Sequence, residues 1–293
     1  MIIDFKYHIA SLIAVFLALG LGIFIGTSLG YDNRIGEAIL NQQKQLTQGI
    51  EKRLDELKKK NDELEAINEE LEVTNKVLKQ YQEETLPVLV KGKLTGKKVA
   101  IVVTGYYGLN DEVKEVLKKA GAEIVSITEI IPEELTNPAD IDYIKSQMKW
   151  QIKDEKEFYT KFALEVGKNL LTPGDGSTLL TLAKTDALKI TGKYGVPLDG
   201  VVVIGGGLSE SDLVNYLDLP LIKFLKTVPV VIGGEYSNVE KSYIKYYQKE
   251  RITTIDDLDL PSGQLSLVYG LLGVKGDFGV KSTAKRLVPP IGQ

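Results

Sequence analysis

The sequence predicts a membrane-anchored α/β protein: an apolar helix, a long charged coiled-coil helix, and a mainly parallel α/β domain. Three observations carry this. Residues 9–30, IASLIAVFLALGLGIFIGTSLG, contain no charge and no proline. Residues 35–84 contain no proline, and both of their glycines precede Ile50. From Lys97 onward, short apolar runs ending in glycine alternate with amphipathic segments, the pattern of strands buried between helices.

The first segment has the length of a membrane span, which needs about 20 mainly apolar residues. A secretory signal carries a shorter apolar region and a small-x-small cleavage site, and the window at Ser28-Leu29-Gly30 is a poor match to that. An uncleaved anchor is therefore expected in residues 1–31. Lys6 lies on one flank and Asp32, Arg34 and Glu37 on the other, so the positive-inside rule leans towards a cytoplasmic amino-terminal tail with the remainder outside. Every fourth residue is small: Ala10, Ala14, Ala18, Gly22, Gly26 and Gly30. In lipid, close backbone approach decides helix association, and small-xxx-small stripes permit it. A helix–helix contact is expected there.

Residues 32–86 form the expected stalk. Leu57, Leu64, Leu71 and Leu78 recur every seven residues, and Asn61, Asn68 and Asn75 follow the first three by four. With Leu54 and Ile50 extending the frame, leucine falls at d and asparagine at a. That pattern favours two parallel strands and fixes their register, at a cost in stability. Ile35, Ile39 and Leu46 depart from the frame, which suggests a stutter near 46–50. At 1.5 Å per residue, about 50 residues extend roughly 75 Å. Pro87 is expected to end the helix.

The α/β domain is expected over 97–273 as a doubly wound, Rossmann- or flavodoxin-like sheet. Strands are expected at 97–105, 122–128, 199–207 and 229–235, with an edge strand in ITTIDDLD (252–259). Helices are expected at 109–122 (capped by Asn110), 139–151, 154–171, 176–191, 239–250 and 262–273, and from Ser209 up to an interruption at Pro220. Residues 274–293 read as a basic, irregular tail.

The opening MIIDFKYHIASLIAVFLALGLGIFIG, the coiled coil after it and the closing TIDDLDLPSGQLSLVYGLLGVKGDFGVKSTAKRLVPP resemble the MctB family, labelled copper transport (outer membrane) protein. The family includes SteB-like envelope proteins linked to cell separation. The resemblance covers the whole chain in order. It implies an envelope-anchored protein tied to copper export or to a pore.

The residues give that label little direct chemistry. Cu(I) prefers thiolate, thioether or imidazole ligands. The chain has no Cys, one His (His8) and two Met (Met1 and Met148). His8 falls beside the span, and Met148 falls on a helix with an apolar face. No segments of about 10 residues alternate apolar and polar as outer-membrane barrels require. No catalytic residue is assigned, because the domain has no histidine to activate a nucleophile. Asp256, Asp257 and Asp259 read as a solvated charged loop rather than a cation site.

One weak ligand candidate remains: Gly205, Gly206, Gly207 and Ser209, in VVVIGGGLSESD, between a strand and a helix. Such turns bring backbone N–H groups to phosphates, but neither a GxGxxG pattern nor a P-loop lysine is present. No cofactor is expected. A formal net charge of −4 argues against nucleic acid as a partner. The expected partners are a second copy of the chain, membrane lipid and an envelope protein that meets the domain.

Overall fold

A computed structural model describes residues 5–30, 33–173, 177–208 and 213–291. The chain divides into two compact units, Met1–Val77 and Leu78–Gln293.

The first unit is helical. Helix α1 (Phe5–Gly30) is long and apolar enough to cross a membrane over Lys6–Ser28, and none of that stretch is buried. A side chain added at Gly22 or Gly26 would meet nothing within 4 Å. At 3.6 residues per turn, each four-residue step turns the small stripe by about 40°. From Ala10 to Gly26 it turns through about 160°, so the small positions wind around the helix. A straight crossing therefore uses only neighbouring members, and Gly22 with Gly26 allows the closest approach. Helix α2 (Asn33–Val90) follows, and residues 36–84 are exposed at every position. It runs one turn past Pro87, contrary to expectation. Leu86, Leu89 and Val90 pack there onto a core of the second unit, and burial outweighs the missing N–H. Gly92, at φ +70°, makes the exit.

The second unit is a seven-stranded sheet in the order β3-β2-β1-β4-β5-β6-β7. Its strands are β1 (Lys98–Val103), β2 (Glu123–Ile130), β3 (Leu188–Gly192), β4 (Gly200–Ile204), β5 (Val230–Gly234), β6 (Thr253–Ile255) and β7 (Asp277–Phe278). All pairings are parallel except β2 with β3. Alternation of side chains along a strand divides the apolar residues between two cores. Ala100, Val102, Val201 and Val203 enter one core; Val99, Ile101, Val202 and Ile204 enter the other. Strands covered on both faces read as continuous apolar runs, which is why β1, β4 and β5 were legible.

One face carries α5 (Pro138–Met148), α6 (Glu155–Leu171), α7 (Ser177–Leu182), α8 (Leu219–Leu225) and α9 (Ile244–Lys249). A single-turn α4 (Pro132–Leu135) precedes them. Phe158, Phe162, Val166 and Leu170 form the buried stripe of α6, whose amino end Asp154 caps by accepting from Glu157 N at 2.8 Å. The other face carries α3 (Asp111–Lys119) and α10 (Pro261–Leu271). Asn110 occupies the cap position of α3, but its side chain makes no capping bond.

Three further expectations change. The helix expected over 176–191 is α7 followed by β3. The LKITG segment has little strand signal of its own, and its pairing with β2 is tertiary. Tyr194 reinforces it by donating to Ile127 O at 2.9 Å. Pro220 does not break its helix: one π turn (Val214–Asp218) runs directly into α8, and the widened turn accommodates a ring that an α turn would exclude. The expected edge strand, β6, is internal, because residues of the expected irregular tail form β7 beyond it.

The connection β6–α10–β7 has the opposite hand to the other parallel crossovers. Strand order advances in the same direction from β4 to β5, β6 and β7, yet α8 and α9 cover one face and α10 the other. Right-handed crossovers dominate, so this two-residue strand requires additional support.

Candidate functional site

The carboxyl ends of β1 and β4 mark the point where strand order reverses, the usual location of ligands in open α/β sheets. The glycine turn expected to cradle a phosphate sits there. Its geometry leaves little space. Gly205 N donates to Gly234 O at 2.9 Å, and Gly207 N donates to Lys241 O at 2.9 Å. Tyr106 N donates to Gly206 O at 3.2 Å, fastening the β1 turn across it. A side chain at Gly206 would lie 2.7 Å from Val239 Cγ1. Two of the three amide groups are thus spent on backbone partners, and neighbouring chain covers the turn. Ser209 lies outside the described residues.

Beneath the turn lies a buried polar group that the sequence did not single out. Asp218, in the π turn, is fully buried. Its Oδ2 accepts from Thr104 Oγ1 at 2.8 Å and from the Tyr247 hydroxyl. Its Oδ1 has no partner among the described residues. Burial pushes the carboxyl up to about 7, against the lowering effect of the two hydroxyl donors. A lone acid within the apolar run VNYLDLPLIKFL was the available signal. Gly205 is required by this group, because a Cβ there would overlap the Tyr247 hydroxyl and approach Asp218 Oδ2 to 3.0 Å. Gly205→Ala is expected to destabilise the second unit by about 1–3 kcal/mol, the range for overpacking a core, read as a lower chemical-denaturation midpoint.

Further along the strand ends, acids fasten the tail. Glu235 follows β5 and has no exposed surface. Its Oε2 accepts from Tyr243 N at 2.8 Å, and its Oε1 receives Lys281 Nζ at 2.7 Å. Lys281 Nζ also donates to Tyr236 O at 2.9 Å. Asp256 follows β6. Its Oδ1 accepts from Val280 N at 2.8 Å and Lys281 N at 3.1 Å, and its Oδ2 from Thr283 Oγ1 at 3.2 Å. Gly279, at φ +136°, lies so close to the Asp256 carboxylate that a side chain would overlap it. These contacts hold β7, the crossover of unusual hand, against β6.

The expected solvated loop of Asp256, Asp257 and Asp259 is thereby corrected. Asp256 and Asp257 are fully buried, because the tail and the start of α10 close over them. Asp257 Oδ2 accepts from Ser262 Oγ at 2.6 Å. Burial, reinforced by Asp256 and Asp259, raises the Asp257 carboxyl to about 6. Asp259 accepts from Ser237 N at 2.6 Å and Ser237 Oγ at 2.5 Å. The chain's own donors occupy Asp256 and Asp259, while Asp257 Oδ1 is buried with no partner among the described residues. No group of three or more His, Cys, Asp or Glu among the described residues is placed to hold a metal ion.

The soft donors do not converge within the second unit. His8 is on α1; Met148 ends α5, partly buried against the core. Met1 lies outside the described residues. At the opposite end of the sheet, a shallow cavity of about 410 Å³ opens at the starts of β5 and β6, with Lys226, Arg251, Lys275 and Glu250 in its lining. Lys226 is paired there with Glu250 at 2.8 Å.

The leucines and asparagines of the stalk lie along α2. Ile50, Leu54, Leu57, Leu64, Leu71 and Leu78 are each more than half exposed, and Asn61, Asn68 and Asn75 are exposed beside them.

No match to the chain is found among curated proteins. The family model described as copper transport outer membrane protein, MctB, matches residues 2–289. A match over nearly the whole chain, from α1 through the sheet to the latched tail, places this protein in the MctB family.

Proposed function

We propose that the chain is a membrane-anchored envelope protein that pairs in parallel through α1 and α2 and presents its α/β domain to a protein partner. In that role it supports copper transport as a scaffold or regulator and does not itself ligate the metal. The observation that carries this is the exposed heptad row of α2. Ile50, Leu54, Leu57, Leu64 and Leu71 stand 53–63% exposed along one helix, and burying such a row against an identical helix is the ordinary reason for a seven-residue leucine repeat. A parallel pair also suits a shared anchor, since both chains leave the bilayer in the same direction.

The family description favours a second reading, a copper efflux or pore component. The donor chemistry weighs against direct coordination: Met148 is the one soft donor from residue 78 onward, and Cu(I) sites need several soft ligands. A phosphate- or nucleotide-binding enzyme is the weakest reading, because the glycine turn is occupied by its own neighbours.

Sedimentation of the full chain extracted in detergent tests the pairing. The expected particle contains two full-length chains with residues 1–31 retained. A monomer throughout the micromolar range, or a mature chain starting near Tyr31, would contradict the proposal.

A further inference from the structure

Two rows of residues flank the leucine row of α2, and only one of them can share a seam with it. The first is Asn61, Asn68 and Asn75. The second is Ile67 and Thr74, three residues after Leu64 and Leu71. The helix is continuous through both, and Leu64, Ile67 and Leu71 are 58%, 52% and 53% exposed. With the asparagines in the seam, Asn68 and Asn75 are buried in successive layers while Ile67 stays wet. With the second row in the seam, leucine takes position a, Ile67 and Thr74 take d, and the asparagines move to e.

We propose that over residues 61–77 the self-association seam is the Leu64–Ile67–Leu71–Thr74 face, with Asn68 and Asn75 on its flank. This rests on the paired reading above and names the surface used. Charge and hydrogen-bonding complementarity with a second copy supports it. In this frame Glu63 and Glu70 stand at g. In a parallel pair, a g residue reaches the partner's e residue five positions on, so Glu63 meets Asn68 and Glu70 meets Asn75. Each amide donates to a carboxylate, a charge-assisted bond, and the equal seven-residue spacing of both residue types follows. In the other frame the same flanks set Ile67 against Glu72. Burying Ile67 while keeping both amides wet is the better use of the helix, since buried polar groups need partners.

Arg53 and Lys60 occupy the Ile67 row further up, which confines this face to the segment after Lys60. Above it, Leu54 with Ile50 and Leu57 provides the apolar face, so the seam changes flank near Lys60. β-Branched residues repeated at d favour more than two strands. Here both d positions are of that kind, but the face is only two layers long and the Leu57 layer above it keeps leucine at d, so a second copy remains the occupant.

The chain contains no cysteine, so single-cysteine variants of the full-length, membrane-embedded protein cross-link without background. Ile67→Cys, Asn68→Cys, Thr74→Cys and Asn75→Cys are oxidised and resolved on a non-reducing gel. A disulfide requires a Cβ separation of about 3.5–4.5 Å, which seam positions approach more closely than flanking ones. The expected result is covalent dimer forming at least about tenfold faster at 67 and 74 than at 68 and 75. Equal rates at all four, or faster linking at 68 and 75, would overturn the seam while leaving the pair intact. No cross-link at any of the four would overturn the pairing itself.

Discussion

Replacing Asp256 with alanine is expected to destabilise the second unit by about 3–5 kcal/mol and to free the tail. The carboxylate is buried and accepts from two backbone amides and one hydroxyl of residues 280–283. These donors are part-buried, so each one left without a partner costs towards the lower end of about 1–3 kcal/mol. The site is where the crossover of unusual hand is secured, together with the buried Glu235–Lys281 pair. In a domain of this size the loss corresponds to a fall in Tm of roughly 6–20 °C. Thermal unfolding of a fragment spanning residues 78–293 measures it, and limited proteolysis after Gly279 reports release of the tail. Lys285→Ala is the control: its partner Asp277 lies 2.6 Å away, but the lysine side chain is 80% exposed, and exposed pairs contribute about 1 kcal/mol or less. Equal effects from the two substitutions would remove the latch from this account.

Asp218→Asn is expected to stabilise the same fragment at pH 8 and to flatten its dependence on pH. Burial raises the Asp218 carboxyl to about 7 from 3.8. Between those values the folded chain holds a proton that the unfolded chain releases. The contribution of Asp218 to stability is therefore greatest below about pH 4 and falls as pH rises through 7, above which burial of the charge costs its full amount. A shift of this size corresponds to about 4 kcal/mol, at 1.36 kcal/mol per pH unit. Asparagine keeps an acceptor for Thr104 and Tyr247 and removes the charge. Urea unfolding at pH 4.5 and pH 8 gives the comparison. The substituted fragment should lose most of the fall between the two, retaining the part due to Asp257, whose carboxyl is raised to about 6. An unchanged slope would show that Asp218 titrates in an ordinary range.

The legible parts of the fold are those with strong local periodicity. The apolar run of α1, the leucine repeat of α2 and the runs KVAIVV, GVVVI and VVIGG each state their class by composition alone. The parts that failed are tertiary. β3 exists because β2 offers a partner edge, and β7 because Asp256, Glu235 and Lys281 fasten two residues of a glycine-containing tail. The π turn before Pro220 reconciles a proline with a continuous helix, and no sequence period encodes it. The acids read differently again. Asp256 and Asp257 lie in a charged-looking string, and only the arrival of residues 280–283 and α10 buries them. The glycine turn directly follows β4, where the apolar run ends. Its lack of open space depends on Tyr106, Val239 and Lys241, none of which the local pattern specifies.

The central claim is that this member of a copper-transport family contributes as a paired, anchored presenter whose α/β domain does not carry the metal. Competitive titration of the 78–293 fragment with Cu(I) against a chromophoric chelator tests it most directly. With Met148 as its one soft donor, the fragment is predicted to leave the chelator's copper in place throughout the sub-micromolar range. Stoichiometric capture of Cu(I) at sub-micromolar affinity would contradict the claim and make the domain itself a copper carrier.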